Sequence, residues 1–203
     1  VSSFVRSRLT HASATTLTVV GLSCVAIVAG GCGAHTVVPS FTTPVVPTGF
    51  LERAYPADGV RLSVPRNWSV TPETAPMVAL VSSGTAIISL WRYPSRHPAL
   101  SSPAQLRGAL GALLSAARSA DSTLAVDRTG FSSVDGAGAV IVDGLEQVAG
   151  KLRRVRSEHV YVDGAEIVLD AYAPAALFSS VDHTVFSPVR KSLALLDGGR
   201  PAG

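Results

Sequence analysis

With 203 residues, 47% of them hydrophobic and 15% charged, the chain is long enough for one domain of ordinary size, and its composition excludes a disordered chain. The formal charge of +3 does not mark a nucleic-acid binder: Arg6 and Arg8 lie in a segment expected to be removed, and without them 15 basic residues face 14 acidic ones, a net of +1. The two cysteines are Cys24 and Cys32, so the chain after them offers no disulfide, thiolate metal site or cysteine nucleophile and must hold itself by its core.

Residues 1–16 are polar, carry Arg6 and Arg8, and contain no acid. Leu17 to Val28 is an uninterrupted apolar stretch. It is shorter than the roughly 20 residues a membrane-spanning helix needs and matches the core of a signal peptide. Ala29-Gly30-Gly31-Cys32 follows, and small residues before a cysteine at this place resemble the lipobox of bacterial lipoproteins. The resemblance implies cleavage between Gly31 and Cys32 and diacylation of the Cys32 thiol. Small side chains admit an extended backbone to the peptidase, and the thiol is the acyl acceptor. Ala29 stands where that family most often has Leu. A plain signal peptide or an uncleaved anchor is the other reading. Two acyl chains on Cys32 would hold the protein on a membrane, which a single chain does not do stably. The resemblance therefore implies a lipid-anchored protein on the outer face of the cell membrane.

Residues 1–31 are accordingly expected to be the signal peptide, 32–50 a lipidated cysteine and tether, 51–196 one domain, and 197–203 a frayed tail. Pro39, Pro44 and Pro47 make Gly33 to Gly49 an extended spacer, reaching some 50 Å at about 3.1 Å per residue.

Within the domain, Gly59 to Val64 alternates apolar and polar residues and predicts a strand, ended by Pro65, with Trp68 to Val70 as a short continuation. Met77 to Ser82 and Ala86 to Trp91 flank Ser83-Gly84-Thr85 and predict a hairpin. Ser102-Pro103 opens a helix whose stripe of Leu106, Leu110, Leu113, Leu114 and Ala117 fades near Ala120. Four strands are expected next, over Thr123 to Phe131, Ala137 to Val142, Lys151 to Val162 and Glu166 to Tyr172, with Asp135-Gly136 and Asp163-Gly164 as tight turns. Leu177 to Leu196 returns to helical spacing. Pro188 inside it either kinks one helix or, as we read it, opens a second one capped by Ser187. Strands, helix, strand meander and helix in that order predict an α+β fold, an antiparallel β-sheet covered by helices.

Tyr55, Asp58 to Val60, Val64-Pro65 and Asn67-Trp68 open this domain, and Phe186 and Ser192-Leu193 close it. The motifs and element order resemble the α/β/α sandwich of the PsbP, Mog1 and DcrB proteins, and also the small mycobacterial lipoproteins of the LpqN type. The resemblance covers roughly Leu51 to Leu196. It implies a non-enzymatic binding or assembly module of the cell envelope and carries no shared catalytic motif. The richness in Arg, Ala, Gly and Val fits a GC-rich, actinobacterial genome.

No nucleophile elbow, P-loop, dinucleotide fingerprint or zincin motif is present, and no cofactor is called for. His97, His159 and His183 have no ligand-like spacing, so no metal site is expected. Asp182 and His183 with Ser179 or Ser180 lie too close together on one segment for a triad and read as a solvated helix end. On a strand, Lys151 and Arg153 share one face while Arg154 and Arg156 share the other. This cluster reads either as a contact for anionic lipid or an acidic partner, or as a solvated hairpin balanced by Asp143, Glu146 and Glu158. Trp68 and Trp91 are either core or, if exposed in a groove, partner contacts. An envelope hydrolase with a dispersed site and a carrier of lipid in an internal cavity are the alternatives to a binding module.

Overall fold

The computed structural model describes residues 43–96, 98–148 and 151–196. The signal peptide, the Gly31–Cys32 junction, His97 and the tail lie outside the described residues.

Among the described residues, ten strands form two antiparallel sheets. In the smaller, β1 (Phe50–Tyr55), β2 (Val60–Pro65) and β10 (Ala194–Leu195) lie in the order β1-β2-β10. The larger contains β3 (Ser69–Pro72), β4 (Met77–Ser83), β5 (Ala86–Pro94), β6 (Ala125–Val134), β7 (Ala137–Val148), β8 (Lys151–Val162) and β9 (Ala165–Pro174), in the order β3-β4-β5-β9-β8-β7-β6. Helix α1 (Pro103–Ala120) follows β5. Helices α2 (Ala175–Val181) and α3 (Ser187–Ser192) follow β9.

The expected α+β class is what the structure shows. One face of the seven-stranded sheet packs on the small sheet and on α2–α3. There Ile88, Leu90, Val160, Val162, Ile167 and Leu169 meet Val60, Leu62 and Val64 and the helical Phe178, Val181, Val185, Phe186, Val189 and Leu193. On the other face α1 lays Leu106 and Leu113 against Val140 and Val142. The result is three layers, with the large sheet between α1 on one face and the small sheet with α2–α3 on the other. At roughly 1.5–3 kcal/mol per fully buried aliphatic side chain, this double burial drives the fold.

Local sequence explains the boundaries. Ser102 accepts from the Gln105 N–H at 3.2 Å, while the Gln105 side chain accepts from the Ser102 N–H at 3.1 Å, a complete capping box at the start of α1. Between β6 and β7, Asp135 (φ 48°) and Gly136 (φ 88°) are both left-handed, as a two-residue hairpin requires. Gly138 is glycine for another reason: a Cβ there would collide with the Leu100 carbonyl oxygen, which accepts a hydrogen bond from the Gly138 N–H at 3.1 Å. This close approach seats the loop that leads into α1.

Three features differ from the expectation. Trp68 to Val70 does not continue β2, because the chain turns at Arg66-Asn67 and β3 joins the other sheet as its edge. Strand β1 went unread because its side chains are largely exposed and show no alternation. Ser187 caps no new helix. Its torsions (φ −64°, ψ −43°) are helical, and the chain stays helical through a π turn at Asp182–Phe186. There the Ser187 N–H reaches back to the Asp182 carbonyl. Pro188, which has no N–H to give, follows directly on this widened turn, where the helical ladder has already changed register.

Residues 43–49, expected to belong to the spacer, run along the domain. Asn67 Nδ2 donates to Val46 O (2.8 Å), Trp68 Nε1 to Val45 O (2.9 Å), and the Val45 N–H to Ser83 Oγ (2.9 Å).

Candidate functional site

The four basic residues of β8 divide between the faces of the sheet as strand alternation requires. Lys151 and Arg153 lie on the α1 face, where Arg153 stands across the ladder from Glu146. Arg154 and Arg156 lie on the face that carries α2–α3. Their guanidinium carbons sit 5.9 and 5.7 Å from the centroid of the Phe178 ring, within cation–π range. Arg154 is paired with Asp127 at 2.8 Å.

Arg156 leads into a cleft. Strands β6 and β7 extend beyond the cover of α2–α3, and the angle between them and the π turn opens a space of about 320 Å³. Arg128, Asp143, Arg156, Asp182, Ser187 and Arg190 surround it, with Thr129, Gly130 and Ile141 also lining it. Asp143 stands opposite Arg156 in the β7–β8 register and opposite Arg128 in the β6–β7 register, which is why one carboxylate serves two guanidiniums. Its Oδ1 accepts from Arg156 Nε at 2.6 Å, and its Oδ2 from Arg128 Nε at 2.8 Å. Arg156 NH1 bonds Asp182 Oδ1, which also accepts from Ser187 Oγ at 3.0 Å. Burial works against the charge of Arg156, yet its bonds to Asp143 and Asp182 outweigh that and raise its pKa above the ordinary value.

Arg190 is held differently. Its NH1 lies 3.5 Å from Glu158 Oε1, whose shorter bond, 2.6 Å, comes from Ser132 Oγ. Glu158 lies behind the cleft, beside a void of only about 10 Å³ between Ile88, Leu169, Phe186 and Val189. That space admits a water molecule, not a lipid chain.

A second polar cluster lies on the opposite face of the sheet. His159 bonds Glu166 Oε1 through Nδ1 at 2.7 Å and Ser157 Oγ through Nε2 at 2.9 Å. The connectivity is that of a Ser–His–acid triad, but the geometry is not. Ser157 and His159 are wholly buried. The Ser157 hydroxyl donates to Asp170, so its proton points away from the imidazole that would have to take it. Burial opposes ionisation of Glu166, but the hydrogen bond and charge of His159 prevail and lower its pKa. As built, this chain fastens β8 to β9.

The remaining sequence candidates are placed as follows. Trp68 is buried in the core. Trp91 is half-buried on the α1 face, stacked on Tyr93 with centroids 6.1 Å apart, and its Nε1 donates to Ser89 Oγ at 3.0 Å. His183 is exposed, while Asp182 beside it faces Arg156 and Ser187. Among the described residues, no group of His, Cys, Asp and Glu could hold a metal ion. No helix among them is long and apolar enough to cross a membrane. Of the cleft residues, Arg128 and Arg190 carry no signal in the sequence, while Asp143, Asp182 and Ser187 stand out there only as a balancing charge, a helix end and a helix cap.

No family model matches the chain, and no curated protein matches it in sequence. Among solved structures, LpqN of Mycobacterium tuberculosis, described as involved in cell envelope biogenesis, is similar with a TM-score of 0.49 at 19% identity, over 76% of this chain and 90% of that one. Cyanobacterial PsbP from Synechocystis is similar with a TM-score of 0.56 at 12% identity, over 82% of this chain and 98% of that one. On that second likeness, together with its three layers, the chain has a PsbP-like fold.

Proposed function

We propose that this protein is an extracytoplasmic lipoprotein of the cell envelope, anchored through acyl chains on Cys32, whose PsbP-like domain acts as a non-catalytic binding or assembly module. The observation that carries the binding role is the cleft. It is open, of small-ligand size, and lined by guanidiniums and carboxylates held in fixed positions by one another. Such a site is preorganised for recognition. The anchor rests on the apolar segment and the Ala29-Gly30-Gly31-Cys32 sequence, and the spacer would hold the domain clear of the headgroups. An actinobacterial source fits the composition.

The hydrolase alternative draws on the Ser157–His159–Glu166 connectivity. An assay of the full chain against chromogenic ester, peptide and phosphoester substrates separates the two readings. Any turnover should be the same in wild type, Ser157→Ala and His159→Ala. Turnover lost in both variants while their melting temperatures match that of wild type would make the protein an enzyme.

A further inference from the structure

We propose that the cleft between β6–β7 and the π turn takes an oxyanion, a carboxylate or phosphate borne on a small ligand, between Arg128 and Arg190. This rests on the reading of the cleft as the binding site.

The donor inventory singles out these two arginines. Arg156 is largely committed: Nε, NH1 and NH2 each bond Asp143 or Asp182, and its side chain is 14% exposed. Arg128 commits Nε and NH2 to Asp143 and leaves its NH1 edge on the rim, with the side chain 70% exposed. Arg190 has a single ion-pair contact, at 3.5 Å, too long for a good charge-assisted bond. Both therefore keep guanidinium donors to offer.

The charges are balanced, since three guanidiniums line the cleft against Asp143 and Asp182, and Glu158 stands behind it within reach of Arg190, so uncommitted donors rather than excess charge would draw an anion. The two lining carboxylates are themselves covered: Asp143 by Arg128 and Arg156, Asp182 by Arg156 and the Ser187 hydroxyl. An incoming anion would meet an Arg128 that buried Asp143 already orients and an Arg190 held loosely by Glu158, so part of the ordering is complete before binding.

The space has the matching shape. About 320 Å³ is far more than a bare ion fills and belongs to a ligand of small-molecule size. Part of that room comes from Gly130, which lines the cleft beside Ile141 and where an added Cβ would meet nothing within 4 Å. Because its φ is not in the left-handed range, valine can be placed there without backbone strain. Gly130→Val thus projects a side chain into the cleft without replacing a charged group.

The test is the full chain, labelled with ¹⁵N-arginine, in zwitterionic nanodiscs, titrated with inorganic phosphate and separately with acetate. The expected result is saturable movement of the Arg128 and Arg190 side-chain signals. Affinity should fall at least about tenfold in Arg128→Gln, in Arg190→Gln and in Gly130→Val, with Arg61→Gln as an unaffected control. Far-UV circular dichroism and thermal melts confirm that each variant is folded. Repetition in anionic phosphatidylglycerol nanodiscs identifies the source. Signals already shifted before phosphate is added mark a lipid headgroup, and signals that move only on addition mark a soluble anion. No saturable shift under any of these conditions, or shifts indifferent to all three variants, would overturn the proposal while leaving the Cys32 anchor to its own test.

Discussion

Asp143 stands directly across the β7–β8 ladder from Arg156, and the two meet through a 2.6 Å bond between Oδ1 and Nε. Asp143 is 3% exposed and also receives Arg128 from the neighbouring strand. Removing it deprives a largely buried guanidinium of a partner. Asp143→Ala should lose about 3 kcal/mol of stability by urea denaturation, because Arg156 would keep Asp182 as its one counter-charge and lose two of its three bonds. A loss under about 0.5 kcal/mol would mean the pair is no more than a surface salt bridge.

Glu166 and Glu146 should give pH dependences of opposite sign. The lowered pKa of Glu166 means that its ionised form stabilises the fold. That contribution is complete above its ordinary value and is lost as pH falls through the lowered one. Glu166→Gln should therefore be less stable than wild type at pH 7, with the gap closing on acidification. For Glu146 burial, then Asp121 and Asp170, raise the pKa, although Arg153 opposes them. Its ionised form opposes folding, so Glu146→Gln should melt higher than wild type at pH 7 and converge with it as pH falls through the raised value. Melting curves from pH 3 to 8 check both, and slopes of the same sign would contradict this assignment.

Two glycines of neighbouring strands should respond oppositely to a side chain. Gly138→Ala forces a methyl group into the Leu100 carbonyl and should cost about 2 kcal/mol or more. Gly130→Val meets open space and should be neutral or mildly stabilising. Parallel thermal melts decide the matter, and equal behaviour of the two would contradict the packing described here.

Ser102→Ala removes half of the capping box at the start of α1 and should cost about 1 kcal/mol. Ser102→Asp should retain most of that, since its carboxylate can accept from the same N–H groups. Chemical denaturation of the pair distinguishes the cap from a general polarity effect.

Most of the fold was legible in the sequence because its elements announce themselves locally. The Ser102-Pro103 cap, the Asp135-Gly136 and Asp163-Gly164 turns and the alternation of β2 each encode a boundary without reference to the rest of the chain. Strand β1 carries no such signal, since it is an edge strand paired with β2 alone and its side chains are largely exposed. Pro188 does stand in the first turn of α3, but Ser187 does not cap it, because the chain enters α3 through a π turn and not through a break. The cleft was legible only in part. Arg156 and Asp143 could be paired from β7–β8 register, but Arg128, Asp182, Ser187 and Arg190 come from β6 and the last helical segment. Their convergence is a tertiary fact with no sequence period. The Ser157–Asp170 bond joins residues directly opposite in the β8–β9 register, whereas His159 reaches Glu166 diagonally, past its own partner Val168.

The central claim is that this cleft is presented outside the membrane from a lipid anchor on Cys32. The most direct measurement is the intact mass of the protein from its native membrane, beside that of a Cys32→Ala variant. The account predicts a mature chain beginning at Cys32 with the mass increment of a diacylglyceryl group, absent from the variant. An unmodified chain, cleaved elsewhere or released to the medium, would contradict it.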